Sequence, residues 1–196
     1  MNQTVSPSSL ERRARDNFRF VDQVVQRAVA FTAVPGRGGV GMGVIALVAT
    51  PLAAVQGPGR GWLIVWLLAA LPAMAVGVVS IGNQMQKTDR ALFARPTVRF
   101  AQAFLPSLLV GAALTALCAS RSLWDLLPGV WLLTYGAGVR AAGTTSVKLV
   151  SALGGCLMAL GLTALWFPAA GDVWMAAGFG GCQIIFGVLI SRSRNG

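Results

Sequence analysis

The sequence predicts an all-α integral membrane protein: a bundle of six transmembrane helices in three hairpins, preceded by an amphipathic interfacial helix. Three observations carry this expectation. Of the 196 residues, 55% are hydrophobic and 11% charged, a balance foreign to soluble globular domains. Five charge-free runs, at 38–59, 61–86, 100–120, 149–171 and 173–191, are each near or above the roughly 18 to 20 residues a helix needs to cross the hydrocarbon. Finally, fourteen of the sixteen Lys and Arg residues fall on alternate connections, leaving Arg60 and Arg121 on the other side. Because cytoplasmic loops retain positive residues, that split predicts an even number of spans with both termini inside.

The expected organisation is a cytoplasmic segment over 1–37, a transmembrane domain over 38–191 and a cytoplasmic tail over 192–196. Spans are expected at 39–56, 62–82, 101–119, 123–140, 148–168 and 173–191. The first stretch is polar and Arg-rich and reaches no apolar run before residue 38, so no secretory signal is expected. Ser8 and Glu11 stand three apart as in a capping box, ahead of an apolar series at helical spacing: Leu10, Ala14, Phe18, Val21, Val25, Ala28 and Phe31. Arg12, Arg13, Arg15 and Arg19 lie mostly off that stripe. A helix over 9–33 would lay the stripe in the acyl boundary with its arginines among anionic headgroups, or pack it on the bundle or on a partner protein; both readings stay open. Pro35 and the glycines after it are expected to end this helix and form a hinge into the first span.

The connection over 83–99 carries Lys87, Arg90, Arg95 and Arg99 with Pro96 among them, and reads as a short basic surface helix and a second cytoplasmic contact. The fourth span contains Asp125 in its first turn, yet Leu126, Leu127, Val130, Trp131, Leu132 and Leu133 would not be left in water. The outer connections are short, and each places a charge shortly before a tryptophan: Arg60 before Trp62, Arg121 before Trp124, Asp172 before Trp174. These tryptophans are expected to anchor the hairpins at the outer interface. A threefold repeat would produce the same pattern, as would an ordinary aromatic belt.

Several chemistries are excluded. With no His, no C-x-x-C pair and no carboxylates paired within a span, neither a metal cage nor an acid–base dyad or triad can be assembled, and no cofactor is expected. Cys118, Cys156 and Cys182 read as small buried apolar residues. The basic residues are scattered between apolar runs, which argues against nucleic acid. Gly36-Arg37-Gly38-Gly39-Val40-Gly41 matches G-x-G-x-x-G, but it lacks the preceding strand that a dinucleotide site requires. Gly39 with Gly43, Gly155 with Ala159 and Ala177 with Gly181 are small-residue faces for close helix packing. Pro51, Pro72, Pro106 and Pro128 are candidate kinks. Arg121 and Asp125, four apart, suggest an ion pair at a helix start. At mid-membrane depth the polar residues are Thr50, Thr134, Tyr135, Thr163 and Gln183. Gln183 is the most expensive to bury and should bond across helices; with Tyr135 and Thr134 it is the candidate interhelical or pore-lining set.

The segments Phe31-Thr32-Ala33-Val34-Pro35-Gly36 running into Gly39-Val40-Gly41-Met42-Gly43, Leu133-Thr134-Tyr135-Gly136-Ala137-Gly138-Val139, and Ala177-Gly178-Phe179-Gly180-Gly181 resemble a group of bacterial six-span membrane proteins with no assigned activity. The resemblance implies a bacterial inner-membrane location and six helices, and no functional residues. The resulting expectation is a non-enzymatic accessory or sensor subunit, resting on anionic lipid and acting through a protein partner or a second copy. Its contacts would be Arg12, Arg13, Arg15, Arg19, Lys87 and Arg90. The alternative is a small permease for an uncharged or hydrophobic solute.

Overall fold

A computed structural model describes residues 36–87, 90–143 and 148–193, with 84–87 and 90–97 as backbone alone. The chain divides into two units, Met1–Phe31 and Thr32–Gly196, and every described residue belongs to the second. The expected amphipathic helix over 9–33, with Arg12, Arg13, Arg15 and Arg19, lies outside the described residues.

Apart from short connections the described chain is helical, without strands among the described residues. Helix α1 spans Gly36–Ala54, α2 Arg60–Lys87 and α3 Arg90–Ser120. A 3-10 turn, Trp124–Leu126, leads into α4, Leu127–Gly143, and α5 follows at Lys148–Trp166. The last span begins at a 3-10 turn, Pro168–Ala170, and continues as α6, Gly171–Met175, a π-helical segment, Ala176–Cys182, and α7, Gln183–Arg192. Five of these stretches are long and apolar enough to cross a membrane. The 17 residues of α4 fall short of that length by themselves.

The core is sealed by Leu127, Leu132, Val150, Leu157 and Met175, all essentially without exposure. Two close seams organise it. In the first, α4 and α5 pack more intimately than any other pair. Here a Cβ on Gly136 would sit 2.8 Å from the Met158 nitrogen, and one on Gly161 2.7 Å from that of Leu133. Lipid chains are as apolar as leucine, so helices in a membrane associate by such backbone approach rather than by escape from solvent. In the second seam, α1 lies along the last span through Gly36, Gly39 and Gly43 against Gly180, Gln183 and Gly187. The tightest pairing thus joins two hairpins of the expected three instead of lying within one.

Several expectations are corrected. Residues 36–41 form no hinge: they are the first turns of α1, and Gly36, Gly38 and Gly39 are buried. The reason is steric, since a side chain at Gly36 would collide with the Gly187 carbonyl and Ser191. The basic stretch over 83–99 forms no separate surface helix among its described residues: 83–87 end α2 and 90–99 start α3. Lys87 closes α2 and Arg90 opens α3. Pro128 sits in the first turn of α4, where no helix hydrogen bond is lost, so it starts that helix instead of kinking it. Cys118 is buried, but Cys156 faces outward. Ala159 is exposed, and the seam on α5 runs through Gly154 and Gly161.

Candidate functional site

The polar residues of the described spans satisfy themselves locally where they can. Thr50 donates to the Ala46 carbonyl, Thr163 to Leu160 and Thr134 to Val130, each within its own helix. The Thr134 hydroxyl lies against α3, where Gly111 leaves room for it. Gln183 behaves differently. It is 3% exposed, and its Nε2 donates to Tyr135 Oη at 2.9 Å, tying α7 to α4 across 48 residues of sequence. The structure thus brings two of the three sequence candidates together and leaves Thr134 apart.

The pair is held by aromatic packing. Phe104 from α3 and Phe179 from the π segment meet the Tyr135 ring edge-on, at centroid separations of 5.3 and 5.1 Å. From Phe179 the contacts continue to Trp66, from Trp66 to Trp62, and from Trp62 to Trp131. In the other direction Phe104 stacks on Phe100. Seven rings therefore run in one series through the bundle, linking α2, α3, α4 and the last span. Edge-to-face pairs of this kind favour one mutual orientation, which makes the interior stiff.

The π segment explains how Phe179 and Gln183 come to face the same neighbour. A π-helix carries an extra residue per turn and is rare outside single-turn bulges. Over Ala176–Cys182 it shifts the phase of every residue that follows, so Gly180, Gln183 and Gly187 fall on the α1 seam. The Ala177 and Gly181 face, read at α-helical spacing, is displaced by this insertion and does not form the seam.

The series ends in polar anchors. Trp131 Nε1 donates to Thr115 Oγ1 at 2.8 Å, and the Thr115 hydroxyl in turn donates to the Gly111 carbonyl. Trp62 Nε1 donates to Asp172 Oδ1 at 2.7 Å. Trp62 is 4% exposed, so it is a buried strut and not the interfacial anchor expected of it. Trp124 and Trp174 are half-buried, and Trp174 donates to the Phe167 carbonyl at 3.1 Å. Among the described residues, Trp66 Nε1 is buried without a hydrogen-bond partner.

Sequence reasoning missed Phe104, Phe179 and Trp66, because nothing in an apolar run distinguishes an inward ring from a lipid-facing one. It also expected Arg121 to pair with Asp125, and no ion pair joins them. A positive φ of 56° at Ser122 reverses the chain between them. No group of three or more metal-ligating side chains occurs among the described residues. No family model, no curated protein and no solved structure matches the chain.

Proposed function

We propose that this chain is a non-enzymatic multi-pass protein of a bacterial inner membrane, with six spans and cytoplasmic termini, that acts as an accessory or sensor subunit through a protein partner. The observation that carries this reading is the state of the α2–α3 pair. Only 6% of the most apolar window of α2 and 11% of that of α3 is buried, against 33% for each of the other three candidate spans. At 28 and 31 residues they are also the longest helices, about 42 and 46 Å at 1.5 Å per residue, well beyond the roughly 30 Å of hydrocarbon. A pair so little covered, prolonged by a segment bearing Lys87, Arg90, Arg95 and Arg99, suits a docking arm better than a wall of a closed bundle. The basic residues of that segment would meet anionic headgroups or an acidic surface of the partner.

The sixth span in this reading is α4. Its 17 residues with the three of the preceding 3-10 turn reach about 31 Å, enough to cross. The permease alternative draws no support from the geometry: Gln183 Nε2 is spent on Tyr135 Oη between aromatic rings, and the Thr134 hydroxyl is spent on the Val130 carbonyl of its own helix.

The test is purification from native membranes in mild detergent, followed by mass spectrometry of what accompanies the protein. A stoichiometric protein partner, lost when residues 1–33 are removed or when Lys87, Arg90, Arg95 and Arg99 are changed to serine, is the expected result. A lone protein or homo-oligomer after the same procedure would overturn the partner reading.

A further inference from the structure

Two of the three cysteines share a depth. At 1.5 Å per residue, Cys156 stands about 12 Å from the Lys148 end of α5, and Cys182 about 15 Å from the Arg192 end of the last span. Both therefore lie near the middle of their spans. The two helices run antiparallel, joined by the turn Pro168–Ala170, and Gly178 sets their register: a Cβ there would meet Leu157 Cδ2 at 3.3 Å. Cys182 follows Gly178 by one turn, and Cys156 immediately precedes Leu157. On antiparallel helices both steps lead toward the same end, which leaves the two cysteines within about 5 Å of each other along the bundle. Their sulfurs are close enough to interact electrostatically. Both thiols are free; Cys156 is exposed and Cys182 half-buried, so the pair sits at the rim of the contact between α5 and the last span, open to the acyl chains. Cys118 lies apart, buried near the other end of α3.

This placement selects the chemistry. Hydrocarbon does not stabilise a thiolate, the form that attacks peroxides and electrophiles, so water-borne oxidants find no reactive species here. Loss of a hydrogen atom creates no charge and proceeds in an apolar medium. The oxidant suited to the pair is a peroxyl radical carried on an oxidised acyl chain. Each of two such radicals takes the hydrogen atom from one S–H and becomes a hydroperoxide. The two sulfur radicals then pair their electrons in an S–S bond. That bond would fasten α5 to the end of the π segment, beside Gln183, and so brace the α4–α5 seam against the seam along α1.

We propose that Cys156 and Cys182 form a lipid-facing dithiol that lipid peroxyl radicals oxidise to a disulfide. The site stands apart from the partner reading, since it needs no other protein.

Full-length protein in discs of polyunsaturated phospholipid is exposed to a lipid-soluble azo initiator, which generates peroxyl radicals in the bilayer. Hydrogen peroxide serves as the water-borne control. The protein is then denatured, its remaining thiols are alkylated, and peptide mass spectrometry locates any link. The expected product is a disulfide between Cys156 and Cys182 of one chain, formed at least tenfold faster with the initiator than with peroxide, while Cys118 is recovered alkylated. Cys156→Ser replaces an exposed side chain by one of similar size, so it keeps the fold and abolishes the link. Failure of the two cysteines to link, links between chains through Cys156, stepwise oxidation of each sulfur to an acid without a link, or equal rates with both oxidants would each overturn the proposal.

Discussion

The indole of Trp62 donates to the carboxylate of Asp172 at 2.7 Å across 110 residues of sequence, joining the start of α2 to the start of the last span. Four residues along α2, Trp66 is equally buried, but its Nε1 has no partner among the described residues. The two tryptophans offer a matched comparison. Trp62→Phe removes a bond to a charged acceptor, worth about 1.5 to 3 kcal/mol, and leaves Asp172 unsupported. Trp66→Phe removes a donor that is already unpaired, so the gain from deleting it offsets much of the lost ring volume. Thermal unfolding in detergent should therefore show Trp62→Phe clearly less stable than Trp66→Phe. Equal losses would mean that the Trp62 bond contributes little.

Tyr135 and Gln183 test whether the buried pair is structural. Tyr135→Phe strands a nearly fully buried amide, and Gln183→Leu strands a phenol. Each single change is expected to cost about 1 to 3 kcal/mol as an unsatisfied polar group. The double variant should cost less than the sum, with a coupling of about 0.6 to 1.7 kcal/mol, the range found for hydrogen bonds between membrane helices. A denaturation cycle in mixed micelles measures this. Strict additivity would show that the two side chains act independently.

How far the sequence revealed these features depended on whether the signal was chemical or geometrical. Charge-free length and the placement of Lys and Arg are one-dimensional properties, so the helical membrane class and five of the helices were legible, with ends shifted by a few residues. Gln183 was legible because an amide in an apolar run must find a partner. The extension of α2 to Lys87 and of α3 back to Arg90 was hidden by the charges there, which read as a loop although Lys, Arg and Gln are good helix formers. Faces beyond residue 176 were hidden because the π segment breaks the 3.6-residue period on which any face assignment rests. The aromatic series was hidden for want of any mark separating an inward ring from an outward one.

The α4–α5 seam predicts a sharp contrast among glycines. A Cβ at Gly136 would press on the Met158 nitrogen and the Gly154 carbonyl, at 2.8 and 2.9 Å, where neither backbone can yield without parting the helices. Gly136→Ala is therefore expected to destabilise the bundle by about 1 to 3 kcal/mol. Gly82, inside α2, has open space around it, so Gly82→Ala should gain roughly 0.5 to 1 kcal/mol of helix stability. Thermal unfolding of both variants checks the contrast, and a harmless Gly136→Ala would mean that the seam is looser than the backbone distances imply.

The end of α3 carries a second backbone test. Leu123 N–H bonds the Cys118 carbonyl at 2.8 Å and Ser122 N–H that of Ala119 at 3.3 Å, with Ser122 in the left-handed region. This is the Schellman termination, in which that position usually belongs to glycine. Serine there suffers crowding of its Cβ, costing roughly 1 to 2 kcal/mol, and glycine would relieve it at some expense in unfolded-chain entropy. Ser122→Gly should raise stability by roughly 0.5 kcal/mol, readable as an upward shift in Tm. A lowered Tm would show that the serine hydroxyl or its stiffness matters more than the strained backbone.

The sidedness of α4 decides the topology. The residues that follow it, 144–147, and those that precede it, 121–123, lie on opposite sides of the membrane only if this helix crosses. Arg121 marks one end and Arg140 with Lys148 the other, and retention of the richer cluster inside requires the crossing. A periplasm-active phosphatase joined after residue 122 should be active, and the same enzyme joined after residue 145 inactive. Activity at both junctions would leave α4 on the outer surface and reverse the orientation of everything after it, so that α5 would start outside and the last span would end there. The tight seam between α4 and α5 argues against that arrangement, because a helix lying flat on the surface would have to expose either Leu132 and Val139 or the glycine face to water. Burying both instead needs α4 upright beside α5, and the pair of fusions distinguishes the two directly.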